Sequence, residues 1–479
     1  MAAAYGPKLM QRLVPRWQAI LYASGSLSVA LSYQAFATYI QFLYIDIFGL
    51  RAAQVGLAWS LYGLWNAVND PLAGYWSDRT QTRWGRRLPW IASLFLPLAV
   101  TFYFLWVPPA GVLAASKRTL LLYFLLIVLG FDLVWTLVVM NWVALFPEMI
   151  PDERQRANVS AWRQIFSLVG LLAGVALPPV LAGEDWSGRG GMALLLAAVT
   201  ALFFGLSLLG SRERLAFRAD PSLPFRRALE ASLGNRDFLT FLGANLAIQF
   251  IFMMLTATVP FYTKYVLHIQ APLRLPALAL TLDVGTQTSL FLGAAFIMAL
   301  PAMPLWTALA HRLGAWRALR LACLLSAALL LLLFRPRDFY AGLLVTTLFG
   351  LALAGLLMLP DLLLADLVDV DELATGVRRE GMYFGINGFV IRFAFTLQGL
   401  ITGAILTLTG YVAPTADRLY PAQPASALGG LRWMIGGIPA LAALLAFFLL
   451  RRYRLRGARL AAVQVQIAAL HAHKEAGRL

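Results

Sequence analysis

The chain contains twelve apolar runs, most of them close to the length that a helix needs to cross a lipid bilayer. About 20 apolar residues in a helix span the hydrocarbon core. The predicted spans cover residues 19–46, 52–76, 88–108, 119–146, 161–183, 191–211, 238–266, 285–310, 317–334, 340–364, 382–410 and 430–450. These runs take up most of the 479 residues. We therefore expect an all-α membrane protein with twelve transmembrane helices.

The composition agrees with a membrane protein and argues against several other classes. The chain is 60% hydrophobic and 13% charged, whereas soluble domains have about a quarter of their residues charged. The 39 Lys and Arg exceed the 23 Asp and Glu, but they cluster between apolar runs, so we expect no nucleic-acid partner. One cysteine, no His/Cys cluster, no phosphate-binding glycine loop and no nucleophile arrangement predict no enzyme, no metal and no cofactor.

The distribution of positive charge predicts the orientation. Most of the Lys and Arg residues lie in the two tails and in the loops that share a side with them. Cytoplasmic loops of membrane proteins carry an excess of Lys and Arg. We therefore expect a multi-pass protein of the plasma membrane with both termini in the cytoplasm and the lipid bilayer as a partner.

A basic stretch divides the chain into six spans plus six. The predicted parts are residues 1–211 as the N-terminal six-helix half, 212–237 as a basic cytoplasmic linker, and 238–479 as the C-terminal half with a basic cytoplasmic tail. Each half has a basic turn after its second span, which fits two parallel repeats around a central pathway. The alternative is that the two turns are basic only because they are cytoplasmic.

The second span carries polar groups that are costly inside a bilayer. Asn66, Asn69 and Asp70 have the spacing i, i+3 and i+4, which places them on one face of a helix, and Pro71 follows. Amide and carboxylate oxygens suit a hard monovalent cation, and Asp70 alone suits a proton. The alternative is a kinked helix whose polar groups bond to neighbouring helices.

Other spans add further candidates for ion and substrate binding. Asp132 and Thr136 share a face of span four, and Asp132 either serves the site or pairs with Arg163 or Arg392. Arg392 in span eleven would face a wet cavity and hold an anionic group, or form a buried structural ion pair. Gln34 in span one would bind solute hydroxyl groups or join two helices.

Charged residues at the predicted cytoplasmic ends of both halves are candidates for a gate. Several opposite charges together would close that side through ion pairs, whereas one exposed pair contributes only about 0–1 kcal/mol. Ordinary solvated loop charge is the alternative. The predicted gate residues are Asp78, Arg79, Arg86 and Arg87 in the first half and Asp369 and Arg379 in the second.

Three ordered motifs resemble those of the glycoside–pentoside–hexuronide:cation symporters, the melibiose carrier-like branch of the major facilitator superfamily. They are Asn69-Asp70-Pro71 with Arg83-Trp84-Gly85-Arg86-Arg87, Ala144-Leu145-Phe146-Pro147-Glu148 with Arg163-Gln164, and Asp366 to Asp369 with Arg379-Glu380-Gly381. The resemblance implies the major facilitator fold and a cation site at the positions of Asn69, Asp70 and Thr136.

The same resemblance marks where this chain departs from the family. Asn66 stands where the family has a second carboxylate, so one negative charge would be absent and a proton on Asp70 is preferred to sodium. The family's sugar-binding carboxylates align with Ala30 and Val139, which are apolar. Arg163 and Arg392 match basic positions, and Asp132 is a candidate for a relocated acidic group. We expect all three to contribute to the substrate cavity.

The function that we predict is cation-coupled symport of a sugar or glycoside-like solute, by rocking of the two halves. The partners would be that solute and a coupling ion, H⁺ or Na⁺. The alternatives are a lysolipid or amphiphile symporter of the same superfamily and, from another class, a membrane receptor that transports nothing.

Overall fold

A computed structural model describes residues 14–80, 82–150, 153–213, 234–275, 280–375, 380–415 and 418–476. The long helices in it are α1 (Arg16–Phe42), α2 (Ala52–Arg79), α3 (Leu88–Trp106), α4 (Lys117–Met149), α5 (Glu153–Ala182), α6 (Arg189–Gly210), α7 (Arg236–Tyr265), α8 (Val284–Leu313), α9 (Ala315–Leu332), α10 (Phe339–Thr375), α11 (Glu380–Leu408), α12 (Ala425–Leu450) and α13 (Ala458–Ala476).

Shorter elements complete the description. A π-helical turn, Leu43–Ile47, continues α1, and a second one, Trp433–Gly437, lies within α12. The short helix Ala110–Ala114 lies between α3 and α4. Strands β1 (Leu273–Leu275) and β2 (Leu280–Leu282) pair antiparallel between α7 and α8, with Arg274 opposite Thr281.

Ten helices among the described residues, α3 to α12, are long and apolar enough to cross a bilayer. The 27 residues of α1 and the 28 of α2 are also long enough, but both helices carry many polar groups. In α1 these include four buried serines, and in α2 they include Asn66, Asn69 and Asp70. The predicted all-α membrane fold is confirmed, and the two polar helices are consistent with a total of twelve.

One predicted boundary differs by several turns. Span ten was expected to end at residue 364, but α10 continues to Thr375. Its last turns are polar and nevertheless buried, with Asp371 at 7% and Glu372 at 2% exposure. The hydroxyl of Tyr383 donates a hydrogen bond to Asp371 at 3.2 Å. This contact compensates part of the desolvation of the carboxylate and so helps to accommodate Asp371 in the buried last turns of the helix.

The helices pack into two bundles that follow the order of the chain. In the first bundle α1 contacts α5 and α6, α3 contacts α4 and α6, and α2 contacts α4. In the second, α10 contacts α8 and α9, and α12 contacts α7 and α9. Three helix pairs join the bundles: α1 with α7, α2 with α11, and α5 with α8. The predicted linker, residues 212–237, lies largely outside the described residues.

Successive helices run in opposite directions, which defines two faces. We call the side where α1 begins and α12 ends the terminal face, and the opposite side the far face. Two of the joining pairs approach closely on the far-face side because they carry glycines. A Cβ on Gly56 of α2 would lie 2.6 Å from the carbonyl oxygen of Gly399 and 2.8 Å from the Cα of Gly403, both in α11. A Cβ on Gly285 of α8 would lie 2.1 Å from the carbonyl oxygen of Pro179 in α5.

We expect Gly56→Ala to lower the melting temperature of the purified protein. The added methyl group meets backbone atoms that cannot rotate away, and such overpacking costs about 1–3 kcal/mol. Gly74→Ala in the same helix is the matched control, since nothing lies within 4 Å of its Cβ position. Alanine in a helix gains roughly 0.5–1 kcal/mol over glycine. A Gly56→Ala protein as stable as Gly74→Ala would contradict this account of the α2–α11 contact.

Candidate functional site

The central feature of the first bundle is a buried carboxylate bound by two amides of a neighbouring helix. Asp132 lies in the middle of α4 and is 2% exposed. The Nδ2 group of Asn66 donates to its Oδ1 at 2.7 Å, and that of Asn69 donates to its Oδ2 at 2.9 Å. Asn69 also donates to the backbone carbonyl of Asp132 at 3.2 Å. These bonds stabilise the charged form of the carboxylate and join α2 to α4.

Four side-chain oxygens around this carboxylate are buried and have no hydrogen-bond partner among the described residues. They are Oδ1 of Asn66, Oδ1 of Asn69, Oδ1 of Asp70 and Oγ1 of Thr136. Thr136 lies one helical turn after Asp132, and Asp70 lies one turn after Asn66, so the four oxygens belong to the two facing helix surfaces. Buried polar atoms are normally satisfied in folded proteins. Unpartnered acceptors beside a carboxylate are therefore an arrangement suited to a hard cation.

Asp70 is engaged with the other bundle. Its Oδ2 accepts a hydrogen bond from the guanidinium of Arg392 in α11 at 2.7 Å. The two side chains are 28% and 18% exposed, so the pair is only partly shielded from its surroundings. This ion pair connects α2 with α11 and therefore joins the two halves. The alternative that Asp132 pairs with Arg163 or Arg392 is not what the structure shows, because Asp70 occupies Arg392 and the two asparagines bind Asp132.

The structure changes the assignment of the two carboxylates. From the sequence, Asp70 was placed among the asparagines and Asp132 with the substrate, whereas the amide nitrogens of Asn66 and Asn69 contact Asp132. Beside Asn66, where the sequence alone indicates a missing negative charge, the structure places the carboxyl group of Asp132 at 2.7 Å. Weaker sodium binding at this site remains a prediction. Binding of the coupling cation by Asp70 remains a prediction.

Two other predicted substrate residues have partners of their own. The guanidinium of Arg163 lies over the rings of Trp142 and Phe146, with its carbon 4.7 Å and 4.6 Å from their centroids. Gln34 is 5% exposed and donates to Oγ1 of Thr38 at 3.0 Å within α1. The structure thus places Arg163 on an aromatic stack in the terminal-face part of the first bundle, away from the Asp132 cluster along α4.

Aromatic side chains lie between the Asp132 cluster and the second bundle, and most of them were not singled out from the sequence. The ring of Tyr33 lies 5.0 Å from Trp135 and 6.0 Å from Phe395 of α11. Tyr62 is 6.0 Å from the same phenylalanine. The indole nitrogen of Trp135 has no partner among the described residues. The signal for Trp135 was its position beside Thr136 and three residues after Asp132.

The predicted gate is described only in part. Glu213, just after α6, accepts hydrogen bonds from the backbone amides of Arg86 and Arg87 at 2.9 Å each, and lies 3.9 Å from Nε of Arg86. These contacts hold the basic turn against its own half. The side chain of Asp78 and all of Arg379 lie outside the described residues, so pairing of Arg79, Arg86 and Arg87 with Asp369 across the halves remains a prediction.

A charged cluster joins the halves at the far face, and the sequence analysis missed it. Asp46, in the π-helical turn after α1, is 1% exposed. It forms an ion pair with Lys264 of α7 and accepts hydrogen bonds from the hydroxyls of Tyr265 and Tyr411. Tyr420, in the loop between α11 and α12, lies 5.4 Å from the Lys264 ammonium, and burial raises the pKa of Tyr420 to about 12, which keeps its phenol neutral.

Comparison with known proteins identifies the family. A family model described as MFS/sugar transport protein matches residues 21–457. The chain belongs to this family. The isoprimeverose transporter of Lactiplantibacillus pentosus is 25% identical over 420 residues, which cover 85% of this chain and 83% of that transporter. The chain is thus a transporter of the glycoside–pentoside–hexuronide:cation symporter branch, an integral multi-pass membrane protein and not an enzyme.

A more distant relative and a solved structure widen the comparison. The sodium-dependent lysophosphatidylcholine symporter 1-A of Danio rerio is 19% identical over 444 residues, covering 84% of this chain and 79% of that protein. A bacterial homologue of the human lysosomal transporter Spinster, in an inward-facing and unoccupied conformation, matches with a TM-score of 0.65 at 15% identity. The match covers 94% of this chain and 98% of that one, and confirms the predicted major facilitator fold.

We expect Asp70 and Arg392 of this transporter to be energetically coupled. Asp70→Asn and Arg392→Gln each leave a partly buried charge without its partner, whereas the double variant removes both charges. Unfolding measurements on the four proteins should give a coupling energy of about 0.5–3 kcal/mol. Glu184→Gln, in the loop between α5 and α6, is the control. Its effect on the free energy of unfolding should simply add to that of Arg392→Gln. Additive effects of Asp70→Asn and Arg392→Gln would show that this ion pair does not stabilise the protein.

Proposed function

We propose that the protein carries out cation-coupled symport of a sugar or glycoside-like solute, and that the carboxylate of Asp132 binds the coupling cation. The observation that carries this proposal is the cluster of Asp132 with Asn66 and Asn69, surrounded by unpartnered oxygens. An ionised group at the middle of a membrane helix is costly and marks an ion or substrate pathway. Alternating access of the two halves would expose the cluster to each side in turn.

The unpartnered oxygens favour sodium as the coupling ion. Rotation of either asparagine amide about its side chain would turn its Oδ1 toward the carboxylate. A cation bound there would then have oxygen ligands from both α2 and α4. Thr136 Oγ1 would add a further oxygen. A proton is the second candidate, because Asp70 is already paired with Arg392, whereas Asp132 has no ion-pair partner among the described residues.

The solute would bind between the Asp132 cluster and α11. The rings of Tyr33 and Trp135 can stack on the apolar faces of a sugar, and the indole N–H of Trp135 can donate to one of its hydroxyl groups. The Asp70–Arg392 pair offers both acceptors and donors beside them. The relative from Lactiplantibacillus pentosus is named a transporter of isoprimeverose, which supports a solute of this class.

An amphiphile is the second candidate solute. Phe389 and Phe393 of α11 are 47% and 37% exposed and flank the position of Arg392 along the helix. Exposed rings beside a guanidinium would suit an apolar chain with an anionic head group. The relative from Danio rerio is named a lysophosphatidylcholine symporter. A thermal-shift screen with sugars, glycosides and lysolipids separates the two classes, since a bound ligand stabilises the folded protein.

The orientation and location belong to the same proposal. We infer that the terminal face is cytoplasmic, because the basic turn at residues 83–87 and the arginines after α12 lie there. The Asp46 cluster then closes the external side, and uptake would require the ion pair of Asp46 with Lys264 to separate. The plasma membrane is the location that we propose.

We expect Asp132→Asn to abolish uphill transport in proteoliposomes but to retain exchange of labelled solute. The variant removes the charge that binds the cation, so an imposed ion gradient can no longer drive accumulation. Separate sodium and pH gradients identify the ion in the unaltered protein. Asp338→Asn, at an exposed position just before α10, is the matched control and should accumulate solute normally. The Thr136→Ala protein should still transport solute, but it should need a higher cation concentration for half-maximal transport.

Full gradient-driven accumulation by a folded Asp132→Asn protein would refute the assignment of Asp132. Unchanged cation dependence in Thr136→Ala would argue against its oxygen as a ligand while leaving Asp132 in place. A protein that shows neither gradient dependence nor flux with any screened solute would count against symport itself.

We expect Trp135→Leu to weaken binding of the solute by about 2- to 13-fold, as loss of a stacking contact of roughly 0.5–1.5 kcal/mol predicts. The concentration for half-maximal transport should rise by that factor, with cation dependence unchanged. Trp84→Leu, in the exposed terminal-face turn, is the control and should leave the affinity unaltered. Equal affinities in the two variants would exclude Trp135 from the solute site.

A further inference from the structure

An apolar groove runs along the outer surface of the second half. It has a volume of about 300 Å³ and lies between α7, α11 and α12. Gly243 and Phe250 of α7, Leu397 of α11, and Leu441 and Leu445 of α12 are among its lining residues, all of which are apolar. The three leucines are 42%, 57% and 54% exposed, so the groove opens to the surroundings of the bundle. In a bilayer, those surroundings are lipid chains.

The two long walls of the groove each lead to an arginine at the terminal face. Residues seven apart in a helix lie on the same side. Seven residues before Gly243 is Arg236, the first residue of α7, and seven residues after Leu445 is Arg452, just beyond the end of α12. Both arginines are exposed. Among the described residues, neither guanidinium has an ion-pair partner.

A fixed contact holds these two helix ends together. Asp237, next to Arg236, accepts a hydrogen bond from the backbone amide of Arg454 at 2.6 Å. Its other oxygen lies 3.8 Å from the guanidinium of Arg459. The carboxylate of Asp237, which directly follows Arg236, is therefore committed to the segment after α12. Arg236 at the start of α7 and Arg452 just after α12 thus lie at the same end of the apolar groove.

We propose that this groove binds an anionic phospholipid, with one acyl chain between α7, α11 and α12 and its phosphate at Arg236 and Arg452. An apolar channel alone accepts any lipid chain, but two guanidinium groups at its mouth select a negative head group by charge complementarity. The bound lipid bridges α7 and α12 and so supports the second bundle from outside. This site is separate from the ion and solute site.

The test is stabilisation of the full-length protein in detergent by dioleoylphosphatidylglycerol. The lipid should raise the melting temperature of the unaltered protein and stay bound in native mass spectrometry. Dioleoylphosphatidylcholine, which has the same chains without net charge, should do so much less. Glycerol 3-phosphate, which has the phosphate without chains, should have no effect. Each arginine contributes to the affinity for an anionic lipid, and removal of both in Arg236→Gln/Arg452→Gln should weaken lipid binding about thirty-fold.

A double variant with the same loss of charge provides the control. Arg83→Gln/Arg312→Gln removes two exposed arginines from the terminal face but outside the groove, and should retain binding. Equal weakening in both double variants would show a general surface-charge effect and overturn the proposal. Equal stabilisation by the two lipids would show an unselective chain groove, and stabilisation by glycerol 3-phosphate would show a free-phosphate site. Either result would also overturn it.

Discussion

The buried carboxylate of Asp132 is the interaction on which the rest of the site depends. An ionised group in the middle of a membrane helix is stable only when donors or a cation compensate it. Here the compensation comes from the amides of Asn66 and Asn69, and both belong to α2. Removing the charge would leave two donors without an acceptor, and removing the amides would leave the charge exposed to an apolar interior. The packing of α2 on α4 and the chemistry of the site therefore depend on the same hydrogen bonds.

The carboxylates of Asp132 and Asp70 have different partners. Asp132 bonds within its own bundle, so rocking of the halves can move it as part of a rigid body. Asp70 bonds across the halves to Arg392, so the same motion must stretch or break that ion pair. Asn66 contacts Asp132 of α4 and lies one turn before Asp70 on α2. The carboxylates of Asp132 and Asp70 are therefore close to each other. A cation bound at Asp132 would reduce the negative potential at Asp70 and weaken its hold on Arg392, which is a direct electrostatic route from ion binding to domain movement.

The sequence predicted the elements well and the partners poorly, for a physical reason. Helical periodicity is a local property, so it correctly placed Asn66, Asn69 and Asp70 on one face and Thr136 one turn after Asp132. Which carboxylate meets the asparagines depends on how α2 and α4 pack, and no spacing within either helix contains that information. The same holds for Arg392, whose partner lies 322 positions away in the chain. Asp46 escaped attention because it is the last residue of the first predicted span, where a charged residue commonly marks the end of the apolar run.

The departure from the family pattern is smaller in space than in sequence. On α2 alone, Asn66 in place of a family carboxylate removes a negative charge from the site and disfavours sodium. In the folded protein, Asp132 of α4 brings a carboxylate to within 2.7 Å of the Asn66 amide. A cation responds to the field of the oxygens around it and not to the helix that supplies them, so this arrangement still fits the cation site that we propose. The exchange does alter the mechanics, because the charged ligand now lies on α4, which contacts α2 and α3, and no longer on the helix that contacts the opposite half.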